Sequence, residues 1–481
     1  MTGFHQHWHA PSEQPLSRRE LLRQSSVGFG SLALASLLAE QGFSQEDASD
    51  KSAGPLSMRP PHFPAKAKRI IFLFMHGGPS QVDTFDYKPQ LTKDDGKPVP
   101  FDKPRVVSST TGNLLKSPWN FRPYGECGYY VSDLFPEIGK QVDNICFINS
   151  VHGSNSRHGA ALLELSTGSD TFIRPSIGSW LTYGLGTENQ DLPGFITICP
   201  SLSHGGANNW GSAFLPAVYQ GTRVGYAGLA SDEAKIPFIT RRTPEELQRM
   251  ELSLLQDLNY QRMAETGPDQ ELEGRIESFE LAFRMQTEAP EIQDMSNESQ
   301  ETLDLYGVNN PETRNFAIQC LMARRYCESG VRFVQLSHSY KWDQHGDLQK
   351  GHSKNAKEVD QPIAALLTDL RQRGLLDDTI VWWGGEFGRT PVSQGDRDGR
   401  DHNPHAMTQW FCGGGFKPGF KYGESDEYGY FAVRDKVHFH DLHATILHQM
   451  GLDHTRLTYQ YAGRNFRLTD VYGSVVHEIL A

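Results

Sequence analysis

Arg69-Ile70-Ile71-Phe72-Leu73-Phe74-Met75 runs straight into His76-Gly77-Gly78-Pro79. An apolar run this short, closed by turn-forming residues, reads as a strand buried on both faces, with a sharp turn at its carboxyl end. Similar runs recur at 144–148, 194–199, 331–336 and 379–383. Helical patterns lie between several of them. One starts at Asn310-Pro311-Glu312 and is stopped by Gly330, immediately before a strand. Another, at 362–376, places Ile363, Leu366, Leu367 and Leu370 on one face. Strands alternating with helices predict an α/β fold: a central, mostly parallel sheet flanked by helices. Between 241 and 305 the chain becomes charged and helical, which predicts a helical insertion. There Thr243-Pro244-Glu245-Glu246 reads as a capping box, and Leu272, Ile276, Phe279 and Phe283 as a stripe packed under a helical lid.

Composition narrows the function classes. The 481 residues carry 46 Lys+Arg against 58 Asp+Glu, a net charge of −12, which argues against a general nucleic-acid binder. An anionic substrate is still compatible, because the local field in a cleft can oppose the net charge. Six cysteines without a C-x-x-C pair fit neither a disulfide scaffold nor a thiolate metal site. No stretch reaches the roughly 18 uncharged apolar residues of a spanning helix, so no stable membrane anchor is expected. The segment Ser17-Arg18-Arg19-Glu20-Leu21-Leu22-Arg23, followed by a mildly apolar uncharged stretch at 24–39, reads as a twin-arginine export signal over 1–39. That predicts a periplasmic or extracellular protein. A polar, Pro-rich linker is expected at 40–67 and the α/β domain at 68–481.

In open α/β sheets, ligands bind beyond the carboxyl ends of the strands. The segments leaving these runs are rich in imidazole and carboxylate. His76 with its two glycines is either a ligand or part of a tight strand exit. Asp343-x-His345 can place two side chains on one metal, and a surface turn explains the same residues. Glu386 is either a metal ligand or the partner of Arg389. Arg389 itself has the planar fork that suits phosphate or sulfate, as a substrate contact. His402 is a candidate ligand with Asp401 beside it to orient the ring. His438, His440, His443 and His448 lie in a segment that reads as an ordinary helix start. The donor set suits one or two divalent ions, with Zn, Mn, Fe and Ca not distinguished.

Several motifs together resemble one family. They are the export signal, HGGPSQVDTFDYKP at 76–89, GEFGRTP at 385–391, GRDHNPH at 399–405, the glycines at 413–415 and HDLHATILHQMGLDH at 440–454. The combination resembles the secreted bacterial family called domain of unknown function 1501, abundant in planctomycetes and grouped with the alkaline phosphatase and sulfatase superfamily. The resemblance implies a sheet-edge site with two divalent metals and a Ser, Thr or formylglycine nucleophile. On it, Asp343 and His345 match the first-metal pair and His402 the late histidine. Glu386 stands where the superfamily has the aspartate of an Asp-His pair, with Phe387 in place of the histidine. His76 stands where the first strand delivers an aspartate, for which Asp83 or Asp86 could substitute. SNSRHGAALLELSTG at 154–168 is similar to the sulfatase signature, with Gly153 in the register of the modified cysteine. Ser154 or Ser156 is then the nucleophile, with Arg157 and His158 nearby, and a standard formylglycine sulfatase is not expected. The expectation is an exported metal-dependent hydrolase of phosphate or sulfate esters with a small anionic substrate. The alternative is a non-catalytic exported binding protein on a degenerate hydrolase scaffold.

Overall fold

A computed structural model describes residues 54–102, 110–267, 269–395 and 398–481. The expected export signal and the first part of the expected linker lie outside the described residues. One compact unit spans Pro55–Ala481. Its packing begins before Lys68. Leu56 is buried, the Arg59 N–H donates to Leu185 O at 3.0 Å, and the His62 N–H donates to Gly451 O at 2.8 Å. Residues 55–67, expected as linker, are therefore a strap fastened along the body.

Eight strands build the central sheet: β1 (Arg69–Phe74), β2 (Ile145–His152), β3 (Phe195–Ile198), β4 (Thr222–Val224), β5 (Phe333–Ser337), β6 (Thr379–Gly384), β7 (Met407–Cys412) and β8 (Phe420–Tyr422). Their order is β8-β2-β7-β6-β1-β5-β3-β4, and the short Val437–His438 strand adds to β2. Neighbours run parallel except at β7, which is antiparallel to both β2 and β6. Helices α1 (His158–Thr167), α2 (Ile177–Leu185), α3 (Glu245–Thr266), α4 (Gln270–Gln293), α5 (Gln300–Tyr306), α6 (Arg314–Glu328), α7 (Leu348–Gln372) and α8 (Phe439–Gln449) complete the framework. Ile70–Phe74 and Trp382, Trp383 and Trp410 are all buried, as strands covered on both faces require.

The helix expected at 362–376 is the second half of α7, a 25-residue helix that runs through Pro362. Leu348, His352, Val359, Ile363, Leu366 and Leu370 are buried along one face. That continuous face outweighs the backbone bond that an internal proline removes. The helical insertion is present as α3 and α4, but two details differ. Pro244 takes the N-cap of α3 and no side chain caps it. On α4 the buried residues include Ile276, Leu281, Met285, Ala289 and Ile292, while Phe279 is 49% exposed, because the face set by packing on α6 is rotated from the expected stripe.

Register explains where the chemistry gathers. Phe74 lies opposite both Ser337 and Gly384, so the chain leaving β1, β5 and β6 emerges at one edge. Because β7 runs the other way, the segment before it reaches that same edge, with Met407 opposite Val151 of β2.

Candidate metal centre

The exit from β1 sets the geometry. Gly77 has φ +115°, and a Cβ there would lie 2.7 Å from Asp343 N and 2.8 Å from Trp342 N. Only glycine admits this approach. The His76 carbonyl accepts the N–H groups of Lys341 and Trp342, both at 3.2 Å, which anchors the 340–345 loop beside the strand. From β6, Gly384 and Gly385 lead to Glu386, which is fully buried. Its carboxylate accepts the Gly77 N–H at 3.1 and 3.2 Å and the His158 ring at 2.7 Å.

Asp343 is the hub. His345 Nε2 and His402 Nε2 lie 2.9 and 3.1 Å from Oδ1, and His158 Nε2 lies 3.3 Å from Oδ2. The opposite nitrogen of each ring is committed. Nδ1 of His158 meets Glu386 Oε1 at 2.7 Å, Nδ1 of His345 meets Gln394 Oε1 at 2.6 Å, and Nδ1 of His402 meets the Ser156 carbonyl at 2.7 Å. Those oxygens accept, so each Nδ1 donates and each Nε2 faces the Asp343 carboxylate; the neutral His402 ring turns a bare nitrogen to it, while His158, held between Glu386 and Asp343, keeps a second proton. A bare nitrogen against an anion is repulsive unless a cation, proton or metal, lies between them. Imidazoles fixed in this way through the far nitrogen have the orientation of metal ligands.

Charge in the centre is strongly biased. Burial raises the Asp343 carboxyl, but the bonds from His158, His345 and His402 and the charge of Arg389 outweigh it and hold the group well below the carboxylate range. Burial lowers His76 to about 4 despite the nearby Glu386. It likewise lowers His402 to about 4, with Asp343 opposing. His158 is the exception. Burial lowers it too, but the contacts with Asp343 and Glu386 win and raise it to about 9. The gap between those two carboxylates therefore demands positive charge. Ligand atoms lie within 4.8 Å of one another in three groups: His76, His158 and His204; His158, Asp343 and His402; and His345, Asp401 and His402.

Five of the six expected ligands, His76, Asp343, His345, Glu386 and His402, come together. Asp83 does not. It is fully buried in a two-pronged ion pair with Arg400, at 2.6 and 3.0 Å, and accepts the Ser80 hydroxyl at 2.5 Å. Arg389 is corrected as well. Nε donates to Gly78 O at 2.9 Å and Nη1 to Arg400 O at 3.1 Å. Nη2 reaches Asp343 Oδ1 at 2.6 Å, Trp342 O at 3.2 Å and the Gly77 carbonyl. This buried guanidinium ties the two loops together and has no fork left for substrate.

The expected nucleophiles also stand differently. Ser154 is exposed, 3.1 Å from His438 Nε2, on the wall of a cavity of about 790 Å³. The His440 N–H donates to His438 Nδ1 at 3.2 Å, so the ring proton sits on Nε2 and His438 cannot accept one from Ser154. Ser156 serves the centre with its carbonyl. Arg157 is exposed at the N-cap of α1, and its guanidinium has no partner among the described residues. His158, expected beside a nucleophile, lies between Glu386 and Asp343.

Two residues escaped the sequence reading. Tyr340 donates its hydroxyl to Asp343 Oδ2 at 3.2 Å. His204 packs on His158 with ring centroids 4.8 Å apart. The same strand-end rule, carried past Cys199 beyond β3, reaches Ser203-His204-Gly205-Gly206 and would have found it.

The family described as protein of unknown function (DUF1501) matches residues 67–480. No curated protein matches the chain. Among solved structures, the lipoteichoic acid synthase LtaP from Listeria monocytogenes aligns at 9% identity and TM-score 0.36, over 86% of this chain and 78% of its own. A sulfatase from Pseudoalteromonas sp. aligns at 12% and 0.33, over 89% and 72%. The alkaline phosphatase of the Antarctic bacterium TAB5 aligns at 11% and 0.34, over 80% and 98%. Likenesses this distant assign no chemistry. No helix of the described residues is long and apolar enough to cross a membrane.

Proposed function

This chain belongs to the DUF1501 family of proteins of unknown function, and we propose that it is a metal-dependent hydrolase of phosphate or sulfate esters. The observation that carries the metal is the common arrangement of His158, His345 and His402, each with Nδ1 committed and Nε2 aimed at Asp343. Asp343, His345 and His402, flanked by Asp401, would hold a divalent ion. Bound there, it would polarise an ester oxygen and offset the charge of the transferring group. The chain's own groups support an anionic substrate. Helix α1 begins at His158, so its N-terminus, where anions are favoured, lies beside Glu386 and Asp343, and the exposed Arg157 precedes it with no partner among the described residues. Glu386 keeps the His158 ring in one orientation, and Tyr340 is placed to hand a hydrogen bond to Asp343 or to an incoming oxygen.

The test is turnover. Full-length protein loaded with Zn, Mn or Fe is assayed on aryl sulfate, phosphomonoester and phosphodiester substrates, and Asp343→Ala should abolish whichever activity appears. A binding-only reading is favoured by one observation, that Arg389 already neutralises Asp343. It predicts no turnover on any ester at any metal loading. Export by the twin-arginine route belongs to the same proposal, on the strength of Arg18-Arg19. Changing both to Lys should retain the precursor in the cytoplasm, and undiminished export would remove that part.

A further inference from the structure

We infer that the outward face of α3 is an interface between two copies of this chain, their α3 helices packed antiparallel about Leu254. The helix is amphipathic in the reverse sense. No residue of Glu245–Thr266 is buried. The half-buried ones, Gln248, Leu252, Gln256, Asn259 and Met263, recur at helical spacing and mark the side turned toward the body. Three of these five are polar. Gln256 donates to Glu280 of α4, and the Arg249 guanidinium lies 5.2 Å from the Phe283 ring on the same side. Leu247, Met250, Leu254 and Leu258 occupy the opposite side, within about 80° of helix circumference. They are 46% to 69% exposed. Single exposed apolar residues are ordinary, but a contiguous stripe of them, turned away from the chain's own core, marks a surface that something covers.

The stripe's own spacing selects a second copy as the cover. Leu247 and Met250 stand seven and four residues before Leu254, and Leu258 and Gln261 stand four and seven after it. A helix with that symmetric spacing is complementary to itself when reversed, as a two-fold interface requires. Leu254 then meets its own copy on the axis, Met250 meets Leu258 of the other helix, and Leu247 packs on the methylenes of Gln261. Helices about 33 Å long in contact along their length bury on the order of 1,200 Å², the lower edge of stable interfaces. Charge argues against a lipid surface. Across 245–293 there are twelve Asp and Glu, four Arg and no Lys, whereas helices that lie on anionic bilayers carry Lys and Arg beside the apolar face.

The inference stands apart from the hydrolase reading, and its experiment measures association. Sedimentation equilibrium of the full-length protein should show a monomer–dimer equilibrium. Leu254→Glu should weaken it at least about 100-fold, because both copies carry the change and each loses roughly tenfold. The substituted side chain is exposed in the single chain, so the unfolding midpoint of its monomer should match that of the unaltered chain. Register is tested by Met250→Glu and Leu258→Lys made in separate chains. Each alone should be monomeric, and mixing the two should restore a dimer, since position 250 of one faces position 258 of the other. Raising the salt should tighten the unaltered dimer, because screening relieves repulsion between two acidic hairpins. A chain that stays monomeric at every concentration would overturn the inference. So would a dimer indifferent to Leu254→Glu, a mixture that fails to pair, or dissociation on adding salt.

Discussion

His402 Nε2 lies 3.1 Å from Asp343 Oδ1 while the opposite ring nitrogen is bonded to the Ser156 carbonyl at 2.7 Å. The neutral ring therefore presents a lone pair to a carboxylate. A cation between them turns that contact from repulsive to favourable. His402→Ala should weaken metal binding at least about 100-fold, beyond the 10–100-fold typical of groups that only orient a ligand. Competition with a chelator of known affinity measures it, and an unchanged affinity would remove His402 from the centre.

Arg389 should prove a structural residue. Its removal leaves buried carbonyls at Gly77, Gly78, Trp342 and Arg400 without donors and Asp343 without its guanidinium. Breaking a buried ion pair of this kind costs about 3–5 kcal/mol. Urea unfolding of Arg389→Ala should show a loss of that order. A variant with full stability and weakened phosphate or sulfate binding would restore the anion-clamp role.

Ser154→Ala should leave turnover within about twofold. The reason is tautomeric: His438 Nδ1 accepts a backbone N–H, so Nε2 is a donor and no base faces the Ser154 hydroxyl. A fall of about 100-fold, worth roughly 2.7 kcal/mol of transition-state stabilisation, would make Ser154 the nucleophile after all.

His352 supplies a pH dependence away from the centre. It is fully buried, its Nε2 accepts the Ser80 N–H at 3.2 Å, and burial holds it down at about 3. In the unfolded chain it titrates near 6.5. Below that pH the unfolded state binds a proton that the folded state refuses, so this contribution is complete above pH 6.5 and is lost as pH falls toward 3. Between pH 6.5 and 5 it removes about 2 kcal/mol. His352→Gln keeps an acceptor and lacks the proton, so its unfolding free energy should fall less over that interval. Identical slopes for the two proteins would contradict the assignment.

The sheet was legible because burial on both faces leaves uninterrupted apolar runs such as Ile70 to Met75. The strand-end rule then recovered His76, His158, Asp343, His345, Glu386 and His402. It failed where a residue's partner decides its role. Nothing local distinguishes Asp83, which meets Arg400 across 317 positions of sequence, from a carboxylate that meets a metal. Arg389 shows the same limit: a guanidinium suited to phosphate is equally suited to five carbonyl and carboxylate acceptors once the loops close around it. His204 was missed because its loop carries no charge or motif and matters only through its position beyond β3. On α4, periodicity identified a helix but not which face α6 covers, so Phe279 was expected inside and lies outside.

The centre is tested most directly by anomalous diffraction from crystals of the full chain grown with Zn²⁺, with data on both sides of the zinc absorption edge. The account predicts an edge-dependent peak bounded by Asp343, His345 and His402, lost in Asp343→Ala. Zinc-replete crystals with no peak there, and with His402 still in direct contact with Asp343, would contradict it.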